Sequence, residues 1–217
     1  MNVSMLSFDS KLVLFFSFTT FCFWIYLAIK SLFKKKNLNG CVLTGKEIKK
    51  AITKGQIGIT NKKKTVDLNS LIGCASIDLA LGSVFRKYTK NTKPIEIVEK
   101  TNYQDYTELI ELSKKKPYLE IAPHESCLGI TQESVYVSKN LFGLISGRSR
   151  FARVGLFIHF CANFIQPGIE AQQVLEIFNA SNHPLRLYPG EKICQVVFLK
   201  MLGEGVNYKG KFFKQKL

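Results

Sequence analysis

Three arginines and a serine set between two glycines form the stretch of this chain best suited to chemistry. Residues 146–156 read Ser-Gly-Arg-Ser-Arg-Phe-Ala-Arg-Val-Gly-Leu, which places Arg148, Ser149, Arg150 and Arg153 in otherwise apolar surroundings. A serine able to cap a short helix leaves backbone N–H groups pointing outward. Guanidinium forks beside them suit phosphate oxygens better than ammonium groups would. Such a cluster would hold a polyphosphate; the competing reading is a surface turn whose arginines are merely solvated. Further along, 172–179 reads as a strand with a carboxylate, Glu176, where the pattern wants a hydrophobe. Glu176 shares its strand face with Val174 and Phe178. Were that face inward, desolvation would make the carboxylate a better proton acceptor and fit it for general acid–base work. The competing reading is an edge or surface glutamate.

These residues need a scaffold, and the chain offers short apolar, β-rich runs at 76–85, 118–121, 126–130, 134–137, 142–145, 156–160, 174–178, 185–188 and 193–198. Turn signals separate several of them, such as Pro123-His124-Glu125, Gln166-Pro167-Gly168 and Pro189-Gly190. The spacing predicts an all-β sandwich, barrel or jelly roll. Ahead of the strands, Thr44-Gly45-Lys46-Glu47 reads as a capping box opening an amphipathic helix. Ile48, Ala51 and Ile52 lie on one side of it and Gly55 is its stop. Residues 96–116 are more polar, and 106–112 suit a helical excursion. Residues 12–29 are uncharged and as a helix would run about 27 Å, close to the hydrocarbon thickness of a bilayer. Lys30, Lys34, Lys35 and Lys36 follow that run and only Lys11 lies just ahead of it. This predicts a single-pass membrane anchor over 1–36 and a β domain over 37–217 facing the cytoplasm.

Composition narrows the function classes. The chain of 217 residues is 46% hydrophobic, enough for one domain with a real core. Its net charge of +15 resides largely in lysine runs at 34–36, 62–64 and 114–116 without interleaved aromatics. Nucleic acid is therefore not an expected partner. Six cysteines, at 22, 41, 74, 127, 161 and 194, form no C-x-x-C pair and read as reduced thiols. The H-x-E and P-C-x-x-C pattern of zinc-dependent deaminases is absent from the sequence, so a deaminase reading would be a zinc-independent one.

Several segments together make the chain similar to the dCTP deaminase family, a branch of the trimeric dUTPase superfamily. They are Leu-Thr-Gly-Lys-Glu-Ile at 43–48, Ala-Ser-Ile-Asp-Leu-Ala-Leu-Gly at 75–82, the arginine run at 147–156, His-Phe-Cys-Ala-Asn-Phe-Ile at 159–165, Leu175-Glu176, and Lys-Phe-Phe-Lys-Gln at 211–215. The resemblance implies a mainly β fold, the distorted jelly roll of the dUTPase and dCTP deaminase type, preceded by a short amphipathic helix. It implies a homotrimer with sites between subunits, and a pyrimidine deoxynucleoside triphosphate bound as its Mg2+ complex. Glu176 matches the family's proton-transferring glutamate, Ser149 the serine that helps place water, and Arg153 the arginine that balances charge. Arg148 matches a phosphate arginine, and Arg150 stands where serine is common. His159 matches a pocket histidine, and Ala162 the residue whose backbone reads the pyrimidine edge. Tyr208, Lys211 and Gln215 match a C-terminal lid over the triphosphate, here 205–217.

One hairpin departs from the family pattern. Gln166, Ile169 and Ala171 stand where an acid that contacts the sugar, an aromatic residue and a glycine are usual. The expected reaction is hydrolytic deamination of dCTP to dUTP and ammonia. The alternatives are a nucleotide-binding sensor or scaffold that has lost turnover, and a bifunctional enzyme that also removes pyrophosphate.

Overall fold

The computed structural model describes residues 20, 23–27, 42–62, 65–90, 93–213 and 217. The chain divides into two compact units, Met1–Gly40 and Cys41–Leu217. In the first, the described residues are helical and exposed. Most of the span expected over 12–29 lies outside the described residues. Among those described, no helix is long and apolar enough to cross a membrane, and the expected single-pass localisation is corrected accordingly.

The second unit opens with α1 (Gly45–Thr53), as the capping box predicts: the Thr44 side chain accepts the Glu47 N–H at 3.3 Å. Ile48 and Ala51 are buried, Ile52 packs at the core's margin, and Gly55 ends the helix at φ 65°. The strands follow as β1 (Ile57–Thr60), β2 (Ile77–Tyr88), β3 (Thr107–Glu111), β4 (Leu119–Ile121), β5 (Ser126–Val137), β6 (Leu141–Gly147), β7 (Leu156–Ile158), β8 (Phe164–Ile165), β9 (Glu170–Asn179), β10 (Leu185–Leu187) and β11 (Lys192–Lys200). Two one-turn helices, α2 (Leu68–Leu71) and α3 (Ser149–Ala152), lie between strands. Seven strands run β7-β9-β5-β2-β11-β6-β8, with β1 added on β5 and β3 on β2, every pairing antiparallel. β4 and β10 form a separate pair.

Period-two alternation decides which face each strand buries. In β9 the inward row is Ala171, Gln173, Leu175, Ile177 and Asn179, so Glu176 belongs to the half-buried outer row with Val174 and Phe178. The core those rows cover includes Phe85, Phe198, Ile121 and Ile145, all fully buried. Each such side chain contributes roughly 1.5–3 kcal/mol.

Two sequence expectations change. Residues 107–111 form strand β3 on the edge of β2, with only a 3-10 turn before it at Tyr103–Tyr106. Pairing with β2 satisfies the backbone that an isolated short helix would have left to water. The runs 126–130 and 134–137 are one strand, β5, and what separates them is a bulge. The register with β9 slips between Ile130 and Ser134, and that with β2 between Leu81 and Phe85. Side chains repair the ladder there. The buried Glu133 carboxylate accepts the Ala80 N–H at 2.8 Å, the Thr131 hydroxyl accepts the Gln173 N–H at 2.8 Å, and Gln172 Nε2 donates to Thr131 O at 2.6 Å.

Candidate active site

Outside the core face of β9 lies a cavity of about 720 Å³ whose wall includes Glu176, His159, Ala162, Gln166 and Tyr208. Five of the residues singled out in the sequence are thus brought together, from β9, the β7–β8 loop, the β8–β9 turn and the C-terminal segment. The Glu176 carboxylate faces this space from the sheet's half-buried outer row, which decides between the two orientations the sequence left open. Its Oε2 accepts the backbone N–H of Cys161 at 3.0 Å, and its own carbonyl accepts the His159 N–H at 2.6 Å. The loop is therefore tied to both the side chain and the backbone of Glu176. What results is an ionisable group held in place yet still open to a ligand and its water.

His159 takes a φ of 52°, the left-handed region, where a non-glycine residue is strained. Its Nδ1 is buried and has no hydrogen-bond partner among the described residues. Burial pushes its imidazole below the ordinary value, while the Glu176 charge and a backbone group of Ala162 oppose that shift.

The expected hairpin is not one, because β8 pairs with β6 while β9 pairs with β5 and β7; the departures in the turn between them cost the fold little. Gly168, at φ 81°, donates to Val137 O at 2.7 Å, and Val137 donates to Ile169 O at 3.1 Å. Ile169 is buried and lines the cavity, while Ala171 pairs with Val135 in regular strand. No unusual backbone angle is needed at Ala171, so its methyl introduces no strain. Gln166 is exposed at the cavity wall.

The arginine run sits elsewhere in the chain. Arg148 is the N-cap of α3 and makes no side-chain cap bond, and Ser149 is the first helical residue, so the expected serine cap is corrected. The Arg148 guanidinium pairs with Asp78 at 3.1 Å, and its Nη1 donates to Lys192 O at 2.8 Å. Ser149, Arg150 and Arg153 are exposed and have no side-chain polar partner among the described residues. Ser149 lines a second cavity, about 400 Å³, whose wall includes Gly147, Asn163 and Gln195. His159 and Phe160 belong to both cavities. Glu176 lines the larger cavity and Ser149 the adjoining smaller one.

In the C-terminal segment Tyr208 is half-buried and its N–H donates to Pro167 O at 2.8 Å. Lys211 is exposed, its ammonium 5.8 Å from the Phe212 ring centroid, and Gln215 lies outside the described residues. Sequence reading passed over Tyr88 and Tyr103, which also line the larger cavity, and Asp78, which pairs with Arg148. Asp78 lies inside a motif already quoted. The two tyrosines become visible only once the strand register is known. Among the described residues no group of three or more His, Cys, Asp or Glu could hold a metal ion.

The family model described as dCTP deaminase-like matches residues 42–201. A protein of Methanosphaera stadtmanae named "dCTP deaminase, dUMP-forming" is 36% identical over 164 residues, covering 74% of this chain and 79% of that one. Proteins with the same name from Dictyoglomus turgidum and Mycolicibacterium vanbaalenii are 34% and 32% identical, each alignment covering 74% of this chain and 80% of the relative. Among solved structures, the 2'-deoxycytidine 5'-triphosphate deaminase of Agrobacterium tumefaciens superposes with a TM-score of 0.55 at 17% identity. That match spans 75% of this chain but only 49% of the other, and it supports the likeness of fold.

Proposed function

Because the chain belongs to the dCTP deaminase-like family, we propose that the cavity beside β9 is where it deaminates dCTP, with Glu176 as the proton acceptor. The protein is an enzyme, a hydrolase that replaces the exocyclic amine of dCTP with oxygen and releases ammonia. The observation that carries the site assignment is the Glu176 carboxylate. It is fixed by the Cys161 N–H at 3.0 Å on the wall of a nucleotide-sized cavity that also includes Ala162, Gln166 and Tyr208. An aromatic amine is a poor leaving group, so the reaction needs one group that takes a proton from water and returns it to nitrogen. A fixed, half-buried carboxylate suits both duties.

The second half of the site is drawn from another copy of the chain. Ser149 opens α3 beside a different cavity and Arg153 is the C-cap of that helix; both are exposed, with no side-chain polar partner among the described residues. In a homotrimer α3 of one protomer would close the Glu176 cavity of the next, supplying a hydroxyl to the water and positive charge to the phosphates. Arg148, steadied by Asp78 and Lys192 O, would present its remaining N–H groups to the same phosphates, and Arg150 would add a further guanidinium. Tyr208 and Lys211 would close over the triphosphate from the C-terminal side. Because the described residues offer no cage for a metal ion, magnesium would arrive on the triphosphate as part of the substrate.

The dUTP product expected from the sequence meets one contrary observation: the relatives are named dUMP-forming. This favours a second reading, in which a further water converts dUTP to dUMP and pyrophosphate. Gln166 weighs against it, since an amide has no basic site to activate that water.

Incubating the protein with dCTP and magnesium and following ammonia, dUTP, dUMP and pyrophosphate tests both readings. Ammonia release is expected, and Glu176→Gln should lower it by at least about a hundredfold while nucleotide binding survives. Equal rates for parent and variant would remove Glu176 from the mechanism. Pyrophosphate in step with ammonia would establish the second reading. Binding without either product would return the protein to a sensor.

A further inference from the structure

Strand register brings one more polar side chain to the reacting volume. Glu176 on β9 stands opposite Leu128 on β5, and Leu128 stands opposite Arg86 on β2. Residues in one row share a face, and Tyr88 lies two residues beyond Arg86, so it projects to the Glu176 side of the sheet. Both Tyr88 and Glu176 line the 720 Å³ cavity. The wall around Tyr88 is braced. Arg86 Nη1 donates to Thr107 O at 2.9 Å and to Thr107 Oγ1 at 3.0 Å, and its guanidinium lies 5.8 Å from the Tyr103 ring centroid. No direct hydrogen bond joins Tyr88 to Glu176 among the described residues, although both line the one cavity.

We propose that Tyr88 is a further residue of the reacting centre: its phenol hydroxyl and the Glu176 carboxylate hold between them the water that attacks the pyrimidine. This rests on the reading of Glu176 as the proton acceptor. Tyr88 orients the water and keeps its own proton throughout. Both water protons leave through Glu176, one to the ring nitrogen and one to the amine. The C–O bond forms, the C–N bond breaks, and ammonia departs. A phenol suits this duty only while neutral. Loss of solvation, followed by the Glu176 charge and then Cys127, pushes the Tyr88 hydroxyl above its ordinary value, so it stays protonated through the neutral range. The Cys161 N–H is already committed to Glu176 Oε2, which leaves Tyr88 as the hydroxyl that this chain's β2 brings to the water.

Tyr88→Phe keeps the ring and removes only the hydroxyl. We expect kcat to fall about tenfold, the worth of one hydrogen bond, with KM within about twofold and the melting temperature unchanged. In a Glu176→Gln background the same change should cost nothing more, because the two groups act on one water. An unchanged kcat, a loss confined to KM, or the full tenfold loss persisting in the Glu176→Gln background would overturn the proposal. Absorbance titration of the tyrosines needs no turnover and separates this inference from the deaminase reading. Glu176→Gln should move one tyrosine ionisation to lower pH, and that movement should vanish in the Tyr88→Phe protein. If parent and Glu176→Gln titrate identically, Tyr88 does not face Glu176 and the proposal fails even in an active deaminase. If the movement is seen in a protein that releases no ammonia, the deaminase reading fails, and with it the role of Tyr88 in holding water.

Discussion

His159 combines a left-handed backbone, a buried Nδ1 without a partner and a place between the two cavities. Burial holds its imidazole below the ordinary 6.5, outweighing the Glu176 charge and Ala162. Below about pH 6.5 the unfolded chain therefore takes up a proton that the folded chain resists. Stability from this residue is present above that pH and is lost as pH falls through the window beneath it. Thermal denaturation from pH 8 to 5 should show a steeper loss for the parent than for His159→Gln, with parallel curves above about pH 7.5. Parallel curves over the whole range would mean that His159 titrates alike folded and unfolded. At this scale the sequence was informative about residue type and less so about surroundings. Glu176 was legible as an ionisable intruder in an apolar strand, yet its orientation was not, because alternation assigns two faces without saying which is inward. Tyr88 was silent because its relation to Glu176 runs through a third strand.

Among the elements, β9 is fixed at its far end by one side chain. Asn179 is fully buried, and its Nδ2 donates to Ala122 O at 3.0 Å and to His183 O at 2.8 Å, while its Oδ1 accepts the Ser181 N–H at 2.9 Å. The side chain thus joins β9, the β4–β5 turn and the approach to β10. Asn179→Ala would strand several buried backbone groups at once and should destabilise the protein by about 3 kcal/mol. Urea denaturation monitors this directly, and a loss below about 1 kcal/mol would mean that water replaces the amide. Hydrophobic alternation and turn residues made most strands readable, including the helix cap at Thr44. Strand β3 is not legible in the sequence because 106–112 carries polar and apolar residues at spacings that serve either period, and only its pairing with β2 decides. The β5 bulge was read as a break because its ladder is completed by Glu133 and Thr131 rather than by backbone.

For the molecule as a whole, the proposed sharing of the site between copies would make activity a property of the assembly. Ser149→Ala and Glu176→Gln proteins should each be nearly inactive. Unfolding and refolding them together should restore activity several-fold above either alone, since some sites then receive one intact half from each copy. No recovery in verified mixed oligomers would place both residues in one chain's site. The C-terminal segment adds a property of timing. Tyr208 N–H is held by Pro167 O, Asn207 packs where a side chain at Gly168 would have to go, and Gly168 N–H is held by Val137 O. The tail's first residues are thus fastened to the β8–β9 turn that carries Gln166. Neither can leave without disturbing the other, so the amides of Gly168 and Tyr208 should exchange with deuterium at a common rate. A nucleotide that slows one should slow both by the same factor, and a binding event sensed at the tail would reach the turn carrying Gln166 as a change in how often it opens.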